Sequence, residues 1–227
     1  MSFKRSNLMM IMLVSGLLVV LSSCQLLGSL LEPKVTSVAV GDYHTLIVKN
    51  DGSLWATGWN LYGTLGKETA EDSVNVPIKI MDQGVKAVSA GASHSLVLKT
   101  DGTLWAMGKN TFGEFMNGTT IDSKVPVQVM SGVADMVAAN AYSLVVKQDG
   151  TLWAAGVNPD GQLGDGTAND RITPQKIAEN VRYTAGRTCH SMFIRKDSSL
   201  WGMGANGHGQ LGDGTRNGSL VPKQILP

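Results

Sequence analysis

His44, His94 and His190 put three imidazoles in one chain, and three neutral imidazoles are enough protein ligands for a zinc ion. The spacing argues against that chemistry. Zinc sites are assembled around a short ligand pair, and no two of these histidines lie within a few residues of each other. Each is expected to hydrogen-bond within its own part of the fold, with no metal bound, and His208 falls in a loop apart from them. Cys189 next to His190, in "GRTCHSMF", supplies a nucleophile and a base side by side. Neighbours on a strand point to opposite faces, so the two cannot act on one substrate, and Cys189 reads as a small packed thiol. "DGTAND" (Asp165 to Asp170) starts like a calcium loop but lacks the twelfth-position glutamate. No Gly-x-Ser-x-Gly elbow, phosphate-binding Gly-x-x-x-x-Gly-Lys or metalloprotease helix occurs. The residues point to a binding protein, not an enzyme, with no cofactor.

The elements that position these residues are visible as repeats. "DGSLW" at Asp51–Trp55 returns as "DGTLW" at Asp101 and Asp149 and as "DSSLW" at Asp197, with tryptophans 50, 48 and 48 residues apart. Other columns keep the same phase: Asn60, Asn110, Asn158 and Asn206; Gly58, Gly108, Gly156 and Gly204; Gly63, Gly113, Gly161 and Gly209; and Pro77, Pro126, Pro174 and Pro222. A fixed period of this length marks a repeat architecture. Within each unit a short apolar run ("TLIVK", "SLVLK", "SLVVK", "SMFIR") meets the Asp-Gly or Asp-Ser pair, and "LWATG" or its counterpart follows. That order predicts a β-hairpin, since glycine accepts the positive φ of a tight hairpin turn. A further apolar stretch precedes each hairpin, and a proline-bearing strand, suited to a sheet edge, closes the unit. Four strands per unit is the content of one propeller blade.

Gly and His, then "DGTLW", "WAxG", Asn and "GQLGDGT" together resemble the regulator of chromosome condensation repeat, above all in "NPDGQLGDGT" (Asn158–Thr167) and "NGHGQLGDGT" (Asn206–Thr215). The resemblance runs over residues 35–227 and implies an all-β propeller. That family's familiar closed form has seven blades, whereas four units are present here. The expectation is a four-bladed ring, an open arc, or one half of an eight-bladed homodimer. Unit one reads "GKET" and unit two "FMNGT" where "GDGT" is expected, and unit three has Tyr142 in the histidine column.

Before the repeats, Lys4 and Arg5 precede an uncharged run from Leu8 to Leu21 and then "LSSC". Fourteen helical residues rise about 21 Å, short of the ~30 Å hydrocarbon core, which favours a signal peptide over a permanent span. The ending resembles the lipobox of bacterial lipoproteins, which implies a signal peptide over residues 1–23, lipid on Cys24 and a tether through residue 34. The protein is then exported and anchored in the cell envelope, on the outer membrane where Gln25 after the cysteine directs that sorting. Without Lys4 and Arg5 the 19 basic and 18 acidic side chains become a net charge of −1. That balance provides no basic face for nucleic acid.

Columns that repeat hold up the blades, so residues that break the pattern in loops are free to bind. Trp59 is out of phase with the other four tryptophans; Lys109, Val157 and Ala205 share its column. Tyr62 and Phe112 stand where Asp160 and His208 occur, and Phe115 and Met116 replace leucine and glycine. Trp59, Tyr62, Lys109, Phe112, Phe115 and Met116 are therefore the candidate contacts for a protein partner. The resemblance also implies lesser alternatives: an inhibitor-like module against a secreted enzyme, or guanine-nucleotide exchange. An envelope polysaccharide enzyme, with its site at the propeller centre, is a further alternative.

Overall fold

The computed structural model describes residues 32–227, so the signal peptide and Cys24 lie outside the described residues. From Val35 onward the chain forms four antiparallel four-stranded sheets, each a meander in chain order. Blade 1 holds β1 (Val35–Val40), β2 (His44–Lys49), β3 (Leu54–Trp59) and β4 (Ser73–Met81). Blade 2 holds β5 (Val85–Ala90), β6 (His94–Lys99), β7 (Leu104–Gly108) and β8 (Ser123–Met130). In blade 3 the strands are β9 (Val133–Ala138), β10 (Tyr142–Lys147), β11 (Leu152–Gly156) and β12 (Arg171–Ala178). In blade 4 they are β13 (Val181–Gly186), β14 (His190–Arg195), β15 (Leu200–Gly204) and β16 (Ser219–Leu226).

One hairpin recurs in all four. Its register pairs Ile47 with Trp55, Val97 with Trp105, Val145 with Trp153 and Phe193 with Trp201. In blade 1 the Gly52 N–H donates to the Lys49 carbonyl at 2.9 Å, and Gly52 sits at φ +76°. The Asp51 carboxylate accepts from the Ser53 N–H at 2.9 Å, and the Trp55 indole N–H donates to the Ser53 hydroxyl at 3.0 Å. The repeated pentapeptide thus closes its own turn and orients its own tryptophan. A basic side chain at the end of the preceding strand covers that ring, Lys49 at 4.3 Å and Arg195 at 3.9 Å from the centroids of Trp55 and Trp201.

Ser198 holds the glycine position of the fourth turn at φ +73°, a left-handed conformation that costs an L-residue about 1 kcal/mol or more. Ser198→Gly is expected to stabilise the protein by about 1 kcal/mol, read as a higher urea midpoint at unchanged slope.

The core lies between blades. Leu46, Val48, Leu54, Ala56 and Leu65 of blade 1 pack with Val85, Val97 and Met107 of blade 2. Leu96, Leu98, Leu104 and Phe115 of blade 2 pack with Val133, Met136 and Val145 of blade 3, and Leu144, Val146, Leu152 and Leu163 with Val181, Phe193 and Met203 of blade 4. Each buried leucine or phenylalanine contributes roughly 2 kcal/mol by leaving water. No comparably packed pair joins β13 or β14 to β1–β4. Of the three closures expected from sequence, the single-chain four-bladed ring is excluded: Val35–Pro227 is an open arc.

Candidate functional site

Three aromatic residues that break the repeat, Tyr43, Trp59 and Tyr62, converge at the loop end of blade 1. Trp59 ends β3, and its backbone is fixed by its N–H donating to the Tyr43 carbonyl at 2.8 Å and by the Thr64 hydroxyl donating to its own carbonyl at 2.5 Å. The indole packs edge-on against Tyr62 at 5.2 Å and against Tyr43 at 5.9 Å between centroids. Lys109, from the next blade, places its ammonium 5.0 Å from the Tyr62 ring centroid. Tyr43 is exposed, Trp59 and Tyr62 are half-buried, and Leu61 is exposed beside them. Three rings packed edge to face, the central one on a backbone fixed by hydrogen bonds, and rimmed by one cation form a surface that offers aromatic contact area at little entropic cost.

The six sequence candidates divide. Trp59, Tyr62 and Lys109 are brought together. Phe112 is 37% exposed at the Tyr62 position of blade 2 and makes no ring contact with the cluster among the described residues. Phe115 and Met116 are fully buried in the joint between blades 2 and 3. Their expected place in an exposed contact patch is corrected: Phe115 fills the slot of Leu65, Leu163 and Leu211, all buried. Met116 adopts φ +62°, the backbone of the glycines it replaces, while its side chain packs inward.

Tyr43 is the member of the cluster that sequence reasoning missed. Its column otherwise reads Ser93, Ala141 and Cys189, so a single aromatic there was the available signal.

The histidine column is part of the joints. His44 Nε2 lies 2.8 Å from the Ser95 hydroxyl of the next blade, and that hydroxyl donates to the Thr64 carbonyl at 2.8 Å. With the serine proton so committed, the imidazole donates and a neutral ring suffices. His94 repeats this with Ser143 at 3.0 Å, and Ser143 donates to the Glu114 carbonyl. Tyr142 replaces the imidazole in blade 3, its hydroxyl 2.9 Å from Ser191 and 2.8 Å from the His190 carbonyl. Burial pushes the histidine pKa values down, to about 4 for His44 and about 3 for His94, and that of the Tyr142 phenol up to about 12.

Concavities lie at both ends of the blades. A cleft of about 820 Å³ between the hairpin turns of blades 1 and 2 is lined by Lys49, Asp51, Lys86, Lys99 and Asp101 among others. Lys49 and Lys99 already cover Trp55 and Trp105, and Asp51 and Asp101 already cap the turns, so these four charges are engaged in the fold. At the opposite end a cavity of about 180 Å³ is enclosed by the turns between the first two strands of all four blades. There Arg187 reaches Asp42 at 3.3 Å. Asp165 is engaged by Asn158, Thr167 and Arg171.

A family model described as the regulator of chromosome condensation (RCC1) repeat matches residues 35–64 and 85–114, and a second of that description matches residues 51–98. No curated protein matches the chain. Among solved structures, human WBSCR16 is similar with a TM-score of 0.75 and 24% identity over 86% of this chain and 55% of that one. Prp20p from Saccharomyces cerevisiae gives 0.73 and 18% over 85% of this chain and 51% of that one. Yeast RCC1 (Prp20) in its Kap60-bound crystal structure gives 0.56 and 17%, over 84% of this chain and 63% of that one. The chain therefore spans little more than half the length of the structures it matches, and at these identities the likeness is one of fold.

Proposed function

We propose, from the premise that this chain carries regulator of chromosome condensation repeats on a propeller fold, that it is a lipid-anchored protein-interaction scaffold of the bacterial cell envelope. The fold is a common protein-interaction scaffold, and one fold hosts many activities, so the reading rests on the site. The observation that carries it is the cluster of Tyr43, Trp59 and Tyr62 beside Lys109: rigid rings, partly exposed, presented by a braced loop. Aromatic anchors of this kind dominate binding energy at protein interfaces. The solved relatives point the same way, since Prp20p is described with its binding to Gsp1p and histones and yeast RCC1 with Kap60. The anchor is the lipid on Cys24, proposed from "LSSC" at the end of the apolar run.

The test is capture of a partner from crosslinked cell envelopes by the full chain. The Trp59→Ala/Tyr62→Ala variant is expected to lose at least ~30-fold in recovery, the equivalent of two anchor residues worth ~1 kcal/mol or more each. A Phe115→Leu variant, altered only in the core, should recover the partner as the parent does. In the same preparation Cys24→Ser should move the protein from the membrane fraction to the soluble one. Equal recovery by the aromatic variant ends the case for this surface, and unchanged fractionation ends the case for the anchor.

A further inference from the structure

The three blade joints are built to one plan. The histidine or tyrosine that opens the second strand of one blade meets a serine hydroxyl in the next, as in His44–Ser95, His94–Ser143 and Tyr142–Ser191. That serine donates back to a loop carbonyl of the first blade, of Thr64, Glu114 or Gln162. The loop glycine of each blade is pressed by the outer strand of the next, so that a Cβ added to Gly63, Gly113 or Gly161 would lie 2.3, 2.4 or 2.8 Å from the Cα of Lys124, Ile172 or Leu220.

Both ends of the arc carry an unmatched half of this joint. On blade 4, His190 has no next-blade hydroxyl, and Met192, Ile194 and Leu200 are partly exposed where Leu46, Val48 and Leu54 are buried. A Cβ on Gly209 would meet nothing within 4 Å. On blade 1, Thr45 stands in the serine column without a histidine partner, and Ile47 is half-buried where Val97, Val145 and Phe193 are fully buried. Val35 is 56% exposed, whereas its counterparts Val85, Val133 and Val181 are 5%, 1% and 1% exposed. The first face supplies the imidazole and loop carbonyl, the second the hydroxyl and apolar ridge.

We infer that two copies of this chain join head to tail, the blade 4 face of each on the blade 1 face of the other, closing an eight-bladed ring through two identical joints. Eight blades at ~45° each are within the range that propellers adopt, and head-to-tail contacts form a closed ring when the rotation completes. Each joint repeats chemistry the chain already uses three times: His190 onto the other copy's Thr45, and Met192 and Ile194 onto its Ile47 and Val35. Arg187 and Asp42 already pair with each other on the axis within each chain, so the joint rests on the hydroxyl and apolar contacts and not on charge. The inference is independent of the aromatic cluster, which lies on the loops and not on either end face.

The experiment is the solution mass of the full chain in mild detergent by light scattering, with two single variants, Met192→Asp and Ile47→Asp. Each position is partly exposed in the single chain, so near-ultraviolet circular dichroism should match the parent and report that the fold survives, while the thermal midpoint should fall only to the value the parent itself reaches when diluted to single chains. The expected result is a parent of twice the chain mass and variants of single mass. An equimolar mixture of the two variants should recover the double mass more weakly, since one joint in that pair is intact and the other carries both aspartates. Only a head-to-tail pair predicts that rescue. A parent of single mass, a parent larger than a pair, a pair indifferent to both variants, or no rescue on mixing overturns the inference.

Discussion

Asn158→Ala is expected to lower unfolding free energy by about 3 kcal/mol, the largest loss predicted for any single side chain in the loops. Asn158 is fully buried at the root of the loop between β11 and β12, and its amide, with the Asp165 carboxylate it meets, braces that loop from inside. Its Oδ1 accepts the Leu163 N–H at 3.0 Å. Its Nδ2 donates to the Asp165 carboxylate and to the carbonyls of Thr167 and Asn169, at 3.1, 2.9 and 3.1 Å. Alanine removes every one of these while leaving the Leu163 N–H buried without an acceptor, a cost of ~1–3 kcal/mol for that group alone. Leu163 is the side chain the loop plugs into the joint with blade 4, so loosening the loop also exposes apolar surface. The measurement is equilibrium urea unfolding together with hydrogen exchange at Leu163.

Asn60 supplies the internal comparison. Its loop carries "GKET" in place of "GDGT", and its Nδ2 reaches only the Lys67 carbonyl and the Thr69 hydroxyl. Asn60→Ala should therefore cost less, about 2 kcal/mol. A loss below ~1 kcal/mol at Asn158, or the reverse order at the two positions, would refute the loop-scaffold argument.

That comparison also shows where the sequence was informative. The asparagine column, the turn glycines and the tryptophans are each forced by a local requirement: a loop that needs a buried amide, a backbone at positive φ, a ring that lies on its own hairpin. Requirements local to a unit recur every 48 to 50 residues, and recurrence is legible without a structure. The four strands per unit followed from the same columns. The joints were less legible because they link residues about one period apart on different sheets. The hydroxyl after each residue of the histidine column (Thr45, Ser95, Ser143 after Tyr142, Ser191) was in plain view, but nothing local says that it faces the preceding blade. Phe115 and Met116 were misplaced for a related reason. A departure from a repeat marks either a freed surface or a repacked core, and only the fold distinguishes the rings of Trp59 and Tyr62 from the buried pair. The open arc was the least legible feature, since closure depends on whether two faces some 140 residues apart meet, as Asp42 and Arg187 do on the axis alone.

Acid is expected to unlock the joints well above the range in which the turn carboxylates titrate. The folded pKa values of His44 and His94 lie at about 4 and about 3, below the ordinary 6.5, with burial as the leading cause. Asp42 opposes that shift at His44, and His44 adds to it at His94. Between pH 6.5 and about 4 the unfolded chain binds two protons that the folded chain refuses, so stability is fully present above pH 6.5 and falls as pH drops. The slope approaches ~2.7 kcal/mol per pH unit for two such groups. The exposed turn aspartates, held below their usual range by Ser53, Thr103, Thr151 and Ser199, contribute only below pH 4. Glu114, raised by burial, works in the opposite sense. Blade 3 shows how to remove one titration without losing the joint, because Tyr142 makes the same interblade bond. That phenol requires Gly186 opposite, where an added Cβ would lie 2.7 Å from its hydroxyl, and the position facing His94 is Ala138. His94→Tyr alone is therefore expected to destabilise by overpacking, about 1–3 kcal/mol. His94→Tyr with Ala138→Gly should fold as the parent does and show half its slope of unfolding free energy between pH 6 and 4.5. An unchanged slope in the double variant would place the acid sensitivity elsewhere than in the blade joints.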